Sequence, residues 1–194
     1  MPEWLREIDT RILLAINGAH DPLLDFVLYW ASNKWTWIPF YVWLLYVLYR
    51  NYSKKVLWFL PLIVLMISGS DQLSTLIKNA TERLRPCHEP GIYGMVHLVN
   101  NACGGQYGFV SSHAANSMAL AVFIFLLLPR GYKDLRLELV AFVLINGYSR
   151  IYLGAHYPLD IVCGWILGFI LGLIFSSLMK YLVKVPDKVA TGHE

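Results

Sequence analysis

Apolar residues in this chain come in long runs divided by short polar knots, without the alternation of a half-buried strand. The runs cover residues 23–49, 56–77, 113–129, 137–155 and 159–183. Each is close to or above the roughly 17–25 residues with which a helix crosses a bilayer, so the pattern predicts five membrane spans. Ser32-Asn33-Lys34 interrupts the first run, which reads either as one span or as a bent pair. The total becomes six helices if that run divides or if the N-terminal helix inserts. Residues 3–17 have a different rhythm. Trp4, Ile8, Ile12 and Ile16 recur every four residues with Leu5 and Leu13 beside them, and Glu3, Arg6, Glu7 and Asp9 occupy much of the rest. The segment 1–20 therefore reads as an amphipathic helix lying in the membrane interface, with packing against the bundle as the alternative.

Composition supports the membrane reading. The 194 residues are 57% hydrophobic and 15% charged, against about 45–50% and about 25% in soluble domains. The expected architecture is one all-α domain over 1–194, a polytopic bundle of five to six transmembrane helices with 184–194 as a cytoplasmic tail. No cleavable leader is apparent, because acids and bases fill the first eleven residues. The formal charge of +3 gives no reason to expect a nucleic-acid partner, since most of the bases sit where membrane topology explains them. Arg50, Lys54 and Lys55 share one connection, and Arg130, Lys133 and Arg136 share another. Lys180, Lys184 and Lys188 follow the last span. Alternation puts all three groups on one side, assigned to the cytoplasm. Trp30, Trp35, Trp37 and Trp58 fall near span ends, as in an aromatic belt.

Segments 78–112 and 150–158 then face outward, and their bases Lys78, Arg83, Arg85 and Arg150 break the charge rule. The stretch 86–111 is long for a connection, and loops of that length are often lids or binding loops. Gly104, Gly105 and Gly108 permit tight turns near its end. Cys87 and Cys103 within it form either a disulfide or two free thiols, whereas Cys163, in an apolar run, reads as a packing residue.

Three clusters on this outer side carry chemistry. In KNATERLRP, Lys78 and Arg85 are seven apart, so a continuing helix would stack them on one face until Pro86 ends it. Arg83 and Glu82 fall on other faces and read as solvated. In SSHAANS, Ser111 or Ser112 caps the span at 113, leaving its first N–H groups to face an anion with His113 in the first turn. In SRIYLGAHYPLDIVCG, Pro158 belongs in the first turn of a helix, which puts His156 just ahead of it and Asp160 inside that turn. Asp160 can then hold one imidazole nitrogen as donor and leave the other as base or nucleophile. Arg150 ends the preceding span. Each cluster has a plainer reading, namely snorkelling bases, an ordinary cap and an Arg–Asp structural pair. Ionisable residues at membrane depth are functional candidates by default, which favours chemistry. Asp71 and Gln72 in the second span read as structural hydrogen bonders, and His88 and His97 as solvated loop residues.

Together the clusters offer Lys78, Arg85 and Arg150 as cations, His113 and His156 as imidazoles, Asp160 and two helix N-termini. That set suits a tetrahedral oxyanion, with one histidine to attack and one to protonate a leaving group. Three adjacent cations would repel a divalent ion, so no metal or other cofactor is expected.

These residues resemble the type-2 phosphatidic acid phosphatase superfamily, whose pattern is K-x6-R-P, then P-S-G-H, then S-R-x5-H-x3-D. Lys78, Arg85 and Pro86 match the first motif, and Ser149, Arg150, His156 and Asp160 the third. The second departs from the pattern, since Val110 and Ser112 replace its Pro and Gly while Ser111 and His113 remain. The resemblance covers residues 78–160. It implies a six-helix bundle and metal-independent hydrolysis of a phosphate ester through a phosphohistidine. His156 would be the nucleophile, Asp160 its orienting carboxylate and His113 the general acid. Lys78, Arg85, Arg150 and Ser111 would bind phosphoryl oxygens, and the side chain of Ser112 would reshape that pocket. The implied partner is a lipid phosphate in the bilayer, such as undecaprenyl diphosphate, phosphatidylglycerol phosphate, phosphatidate or a lipid A phosphate. The implied location is a bacterial inner membrane with the site facing the periplasm or outside. Competing readings are a lipid phosphotransferase, a vanadate-dependent peroxidase, which the hydropathy disfavours, and a non-enzymatic anion-binding transporter.

Overall fold

The computed structural model describes residues 1–101 and 103–183. It contains seven α-helices: α1 (Glu3–Gly18), α2 (Pro22–Ser32), α3 (Ile38–Tyr52), α4 (Phe59–Thr81), α5 (Ser112–Leu127), α6 (Lys133–Tyr152) and α7 (Pro158–Val183). The first predicted span divides into two helices. α2 stops at Ser32, Asn33 is extended, and a short 3-10 turn over Lys34–Trp37 leads into α3. Asn33 accepts the Trp35 N–H through its side chain, so the polar knot is itself the cap of the next turn. The expected tail beyond residue 183 lies outside the described residues.

The cationic connections do share one end of the bundle. Lys55 Nζ donates to the Val183 carbonyl at 3.3 Å, Asn51 Nδ2 to the Tyr132 hydroxyl at 2.9 Å, and the Tyr52 hydroxyl to the Leu127 carbonyl. The ends of α3, α5 and α7 and the start of α6 therefore meet there. The opposite end gathers the end of α4, the starts of α5 and α7, the end of α6, and both α1 and α2. Trp30, Trp35 and Trp58 are exposed, as a belt requires. Trp37 is not a belt residue, because its ring packs edge-on to Phe142 and its indole N–H bonds the Ala31 carbonyl at 2.8 Å.

α1 turns one mixed face inward and leaves Glu3, Arg6, Glu7 and Arg11 exposed. Asp9, Leu13 and Asn17 are buried, while Trp4, Ile8 and Ile12 are exposed. Asn17 donates to the carbonyls of His97 and Tyr152 and accepts the His97 N–H, which ties the helix to the outer loop and to the end of α6. His97 is not a solvated loop residue. It sits 2.9 Å from Asp25 and stacks on His20, because the α1–α2 corner folds under the loop.

α5 and α7 make the closest helix pair. Gly164, Gly168 and Gly172 form a small-x3-small stripe that lets α7 approach the α5 backbone, the means by which membrane helices pack tightly. A Cβ at Gly168 would stand 2.2 Å from the Ala115 carbonyl oxygen and 2.9 Å from Met118 Cβ. Gly168→Ala is therefore expected to destabilise the protein by about 1–3 kcal/mol and to lower its Tm in detergent. Gly69→Ala in α4, which meets nothing within 4 Å, is expected to leave Tm unchanged or raised.

Candidate active site

The turn from α6 to α7 builds the first part of the site. α6 ends at Tyr152, and Gly154 reverses the chain at φ +67°. The Arg150 carbonyl then takes the N–H groups of both Ala155 and His156, at 3.1 and 3.2 Å. Pro158 opens α7. His156 is thus set just ahead of a helix N-terminus, where it is buried beside Asp160. Asp160 Oδ2 accepts the Tyr157 N–H at 3.0 Å and faces His156 Nδ1 at 3.4 Å. On the other side of the ring, Arg85 Nη1 lies 3.0 Å from Nε2. A guanidinium can only donate, so Nε2 is the bare nitrogen and Nδ1 carries the proton toward Asp160. Burial first, then the charges of Arg85, Arg150 and Lys78, hold the His156 pKa well below its ordinary value, so the ring is neutral.

Lys78 stands in the last turn of α4, but Arg85 reaches the site by a route other than the expected continuous helix. α4 ends at Thr81, and Glu82 takes a left-handed conformation at φ 48°. Arg85 is extended, as a residue before proline should be. Its N–H bonds the Gln106 carbonyl at 3.0 Å, next to an antiparallel bridge of Leu84 with Tyr107. The loop returning from residue 86 therefore pairs with the segment leaving α4. Cys87 and Cys103 are disulfide-bonded, with Cα atoms 6.1 Å apart, which closes this loop. Gly108 then lies against the pair: a Cβ there would sit 3.1 Å from Asp160 Oδ2 and 3.2 Å from Arg85 Cγ.

Ser111 is the N-cap of α5, accepting from the Ala114 N–H at 3.5 Å. Its own N–H donates to the Asp160 carbonyl at 3.0 Å, joining the starts of α5 and α7. The Ser112 hydroxyl takes Lys78 Nζ at 2.5 Å, so the residue in the glycine position of the second motif holds one of the cations. His113 is exposed on the wall of a cavity of about 610 Å³ between α3, α4, α5 and α6. Lys78, Arg85, Arg150 and His156 all lie within charge range of it. Arg150 Nη1 donates to Ser32 at 2.5 Å. Asp71 accepts from Asn116 Nδ2 at 2.8 Å on the cavity wall, the structural bond expected of it, and Gln72 is exposed. His88 is exposed, 3.3 Å from the Gly104 carbonyl.

Arg83 is the residue that the sequence misplaces. It is not solvated: its side chain is 16% exposed, donates to Asp160 Oδ1 at 2.7 Å and to Asp9 Oδ2 at 2.5 Å, and stacks over Tyr157. Asp9 Oδ1 also accepts the Leu159 N–H at 2.9 Å, in the first turn of α7. Helical phase cannot place Arg83, because the helix has already ended.

The donors left over are informative. The Nε–H groups of Arg85 and Arg150 are buried with no acceptor among the described residues. Buried donors are nearly always paired. Of the three buried guanidinium Nε donors without a partner among the described residues, those of Arg85 and Arg150 lie by the two histidines, and that of Arg136 does not. A model described as the PAP2 superfamily matches residues 58–184 of this chain.

The chain belongs to the PAP2 superfamily.

The matched segment takes in α4–α7 and all eight candidate residues, Lys78, Arg85, Ser111, Ser112, His113, Arg150, His156 and Asp160. The chain is 40% identical over 171 residues to the lipid A 4'-phosphatase of Bacteroides thetaiotaomicron, covering 87% of this chain and 75% of that one. It is 34% identical over 168 residues to the lipid A 4'-phosphatase of Porphyromonas gingivalis, covering 86% and 70%. The fold is shared with the crystal structure of the first transmembrane PAP2-type phosphatidylglycerolphosphate phosphatase from Bacillus subtilis. That match has a TM-score of 0.70 at 20% identity over 99% of this chain and 90% of that one. This PAP2 chain is thus a phosphatase and an integral membrane protein, with a helical bundle as its fold. α1–α3 lie outside the segment that the family model matches.

Proposed function

We propose that this PAP2 phosphatase removes phosphate from a membrane lipid at the outer face of the membrane, with His156 as the nucleophile. The observation that carries the reading is the pair of unpaired Nε donors on Arg85 and Arg150 around a neutral histidine whose Nε2 is bare. Phosphoryl oxygens would take those donors, with Lys78, Ser111 and the first N–H groups of α5 completing the cradle. Nε2 of His156 attacks phosphorus as the bond to the leaving oxygen breaks, and His113, protonated once the anionic phosphate offsets the neighbouring cations, supplies that oxygen's proton. Asp160 accepts from Nδ1–H throughout and stabilises the charge that the ring gains. His113, now neutral, takes a proton from water. The resulting hydroxide attacks phosphorus, the P–N bond breaks, and phosphate leaves with the free enzyme restored.

Among the candidate substrates, a lipid A phosphate has the most support. Two relatives named for that activity align over most of this chain. The cavity beside His113 fits an amphiphile, with Ser112, His113 and Asn116 at one part of its wall and Leu44, Leu48 and Ile63 at another. Placing the cationic connections in the cytoplasm puts the site on the opposite, periplasmic face. The test is phosphate release by the purified protein in EDTA from a panel of lipid A, phosphatidate, phosphatidylglycerol phosphate and undecaprenyl diphosphate. Release is expected to persist in EDTA and to be fastest with lipid A. Loss of activity in EDTA would overturn the metal-free mechanism, and transfer of phosphate to an added acceptor lipid would show a phosphotransferase.

A further inference from the structure

Asp9 lies on α1, some seventy residues before the first motif, yet its carboxylate is buried one residue away from catalytic Asp160. Both of its oxygens act as acceptors, Oδ1 for the Leu159 N–H at 2.9 Å and Oδ2 for Arg83 Nη2 at 2.5 Å, so the group is ionised. Asp160 is likewise acceptor on both oxygens, for Arg83 on Oδ1 and for Tyr157 N–H and His156 on Oδ2. One guanidinium therefore serves two buried carboxylates. Aspartate, arginine and aspartate sum to one net negative charge, and it borders His156 on its Nδ1 side.

We propose that Arg83 and Asp9 are positioning residues for the His156–Asp160 pair, with Asp9 engaging half of Arg83 so that Asp160 keeps a net negative charge for the histidine. The inference rests on the assignment of His156 as nucleophile. Attack by Nε2 leaves the ring cationic, and an anion at Nδ1 stabilises that cation. Were Arg83 paired with Asp160 alone, the two charges would cancel. Were Arg83 missing, two carboxylates would share the pocket without a counter-ion. The arrangement also makes α1 part of the site, because the helix that faces the membrane interface carries the group that divides the guanidinium. The other charges facing His156 are the cations Lys78 from α4, Arg85 from the loop and Arg150 from α6, with His113 on α5. All of them oppose a charged ring, and the anionic cluster works against them beside a backbone hydrogen bond to Gly108.

The experiment is the pH dependence of kcat/KM for Asp9→Asn, Arg83→Gln, Arg83→Lys and His156→Ala, with a short-chain diacylglycerol phosphate as probe. The acid limb in the wild type marks protonation of the ring. Asp9→Asn removes a negative charge and is expected to move that limb down by about half a unit. Arg83→Gln removes a positive charge and is expected to move it up by at least as much. Arg83→Lys keeps the charge and is expected to hold the limb near the wild type, with a lower kcat from the lost bidentate geometry. KM is expected to hold in all three, since neither residue touches the substrate. A purely structural clamp would lower Tm and kcat without moving the limbs in opposite directions, and that result overturns the proposal. Should Arg83→Gln fail to fold, an unshifted limb in the near-isosteric Asp9→Asn overturns it alone. Activity surviving in His156→Ala would instead refute the assignment of the nucleophile, whatever the other variants do.

Discussion

His156→Ala is expected to reduce phosphate release by roughly a thousandfold or more, to the level left by binding and the cationic cradle alone. The ring is buried and neutral, its Nδ1 is directed to Asp160, and its Nε2 meets only Arg85. No other imidazole has both a carboxylate at one nitrogen and a cation at the other among the described residues. His97 has its carboxylate, Asp25, but packs on His20 at the α1–α2 corner. The check is release of inorganic phosphate from the lipid, alongside far-UV circular dichroism and detergent gel filtration to establish that the variant folds. Wild-type radiolabelled substrate, quenched in alkali, should leave phosphate on the protein, because phosphohistidine survives base. Full activity in the variant, or no label on the wild type, would overturn the covalent route.

His113→Ala is expected to cost about 10²–10⁴-fold with a lipid alkyl phosphate, the usual contribution of a general acid. The loss should depend on the leaving group. An alkoxide needs a proton as it departs, whereas an aryl oxide with a low pKa does not. With p-nitrophenyl phosphate, most of the lost rate for the first step should return in His113→Ala and none should return in His156→Ala. Equal losses on both substrates would remove His113 from the acid role. The position favours that role: the ring stands in the first turn of α5, exposed to the cavity where the departing lipid would lie, while His156 is enclosed.

The spans and most of the site were legible because their signals are local. Runs of apolar residues fix helices without reference to anything distant. Pro158 fixes where α7 starts, and Ser111 fixes where α5 starts, so the placements of His156, Asp160 and His113 follow from a few neighbouring residues. Arg83, Asp9 and the route of Arg85 depend on distant contacts. The backbone turns at Glu82, and Arg85 is placed by pairing with residues 106–107, which no periodicity announces. In the sequence Asp9 is only one of the polar positions of an amphipathic helix, and nothing local sets it apart from Glu3, Arg6 and Glu7. In the fold Trp4 and Ile8 are exposed, and Asp9 and Asn17 are buried beside Leu13 because Arg83, the Leu159 N–H and the carbonyls of His97 and Tyr152 give them partners. The glycine stripe at 164, 168 and 172 is a four-residue repeat in the sequence, a local signal for a close helix contact.

The exposed apolar residues of α1 and α2 bear on the depth of the site. α1 and α2 lie at the site end of the bundle and present Trp4, Ile8, Ile12, Leu23, Phe26 and Trp30 to their surroundings. Such a shelf settles into the boundary between headgroups and acyl chains. On the lipid reading, the catalytic mouth is level with the phosphates of the leaflet, and a substrate reaches it by lateral diffusion without leaving the membrane. The quantity that governs turnover is then the surface mole fraction of the lipid, and diluting the substrate with inert lipid at constant bulk concentration slows the enzyme.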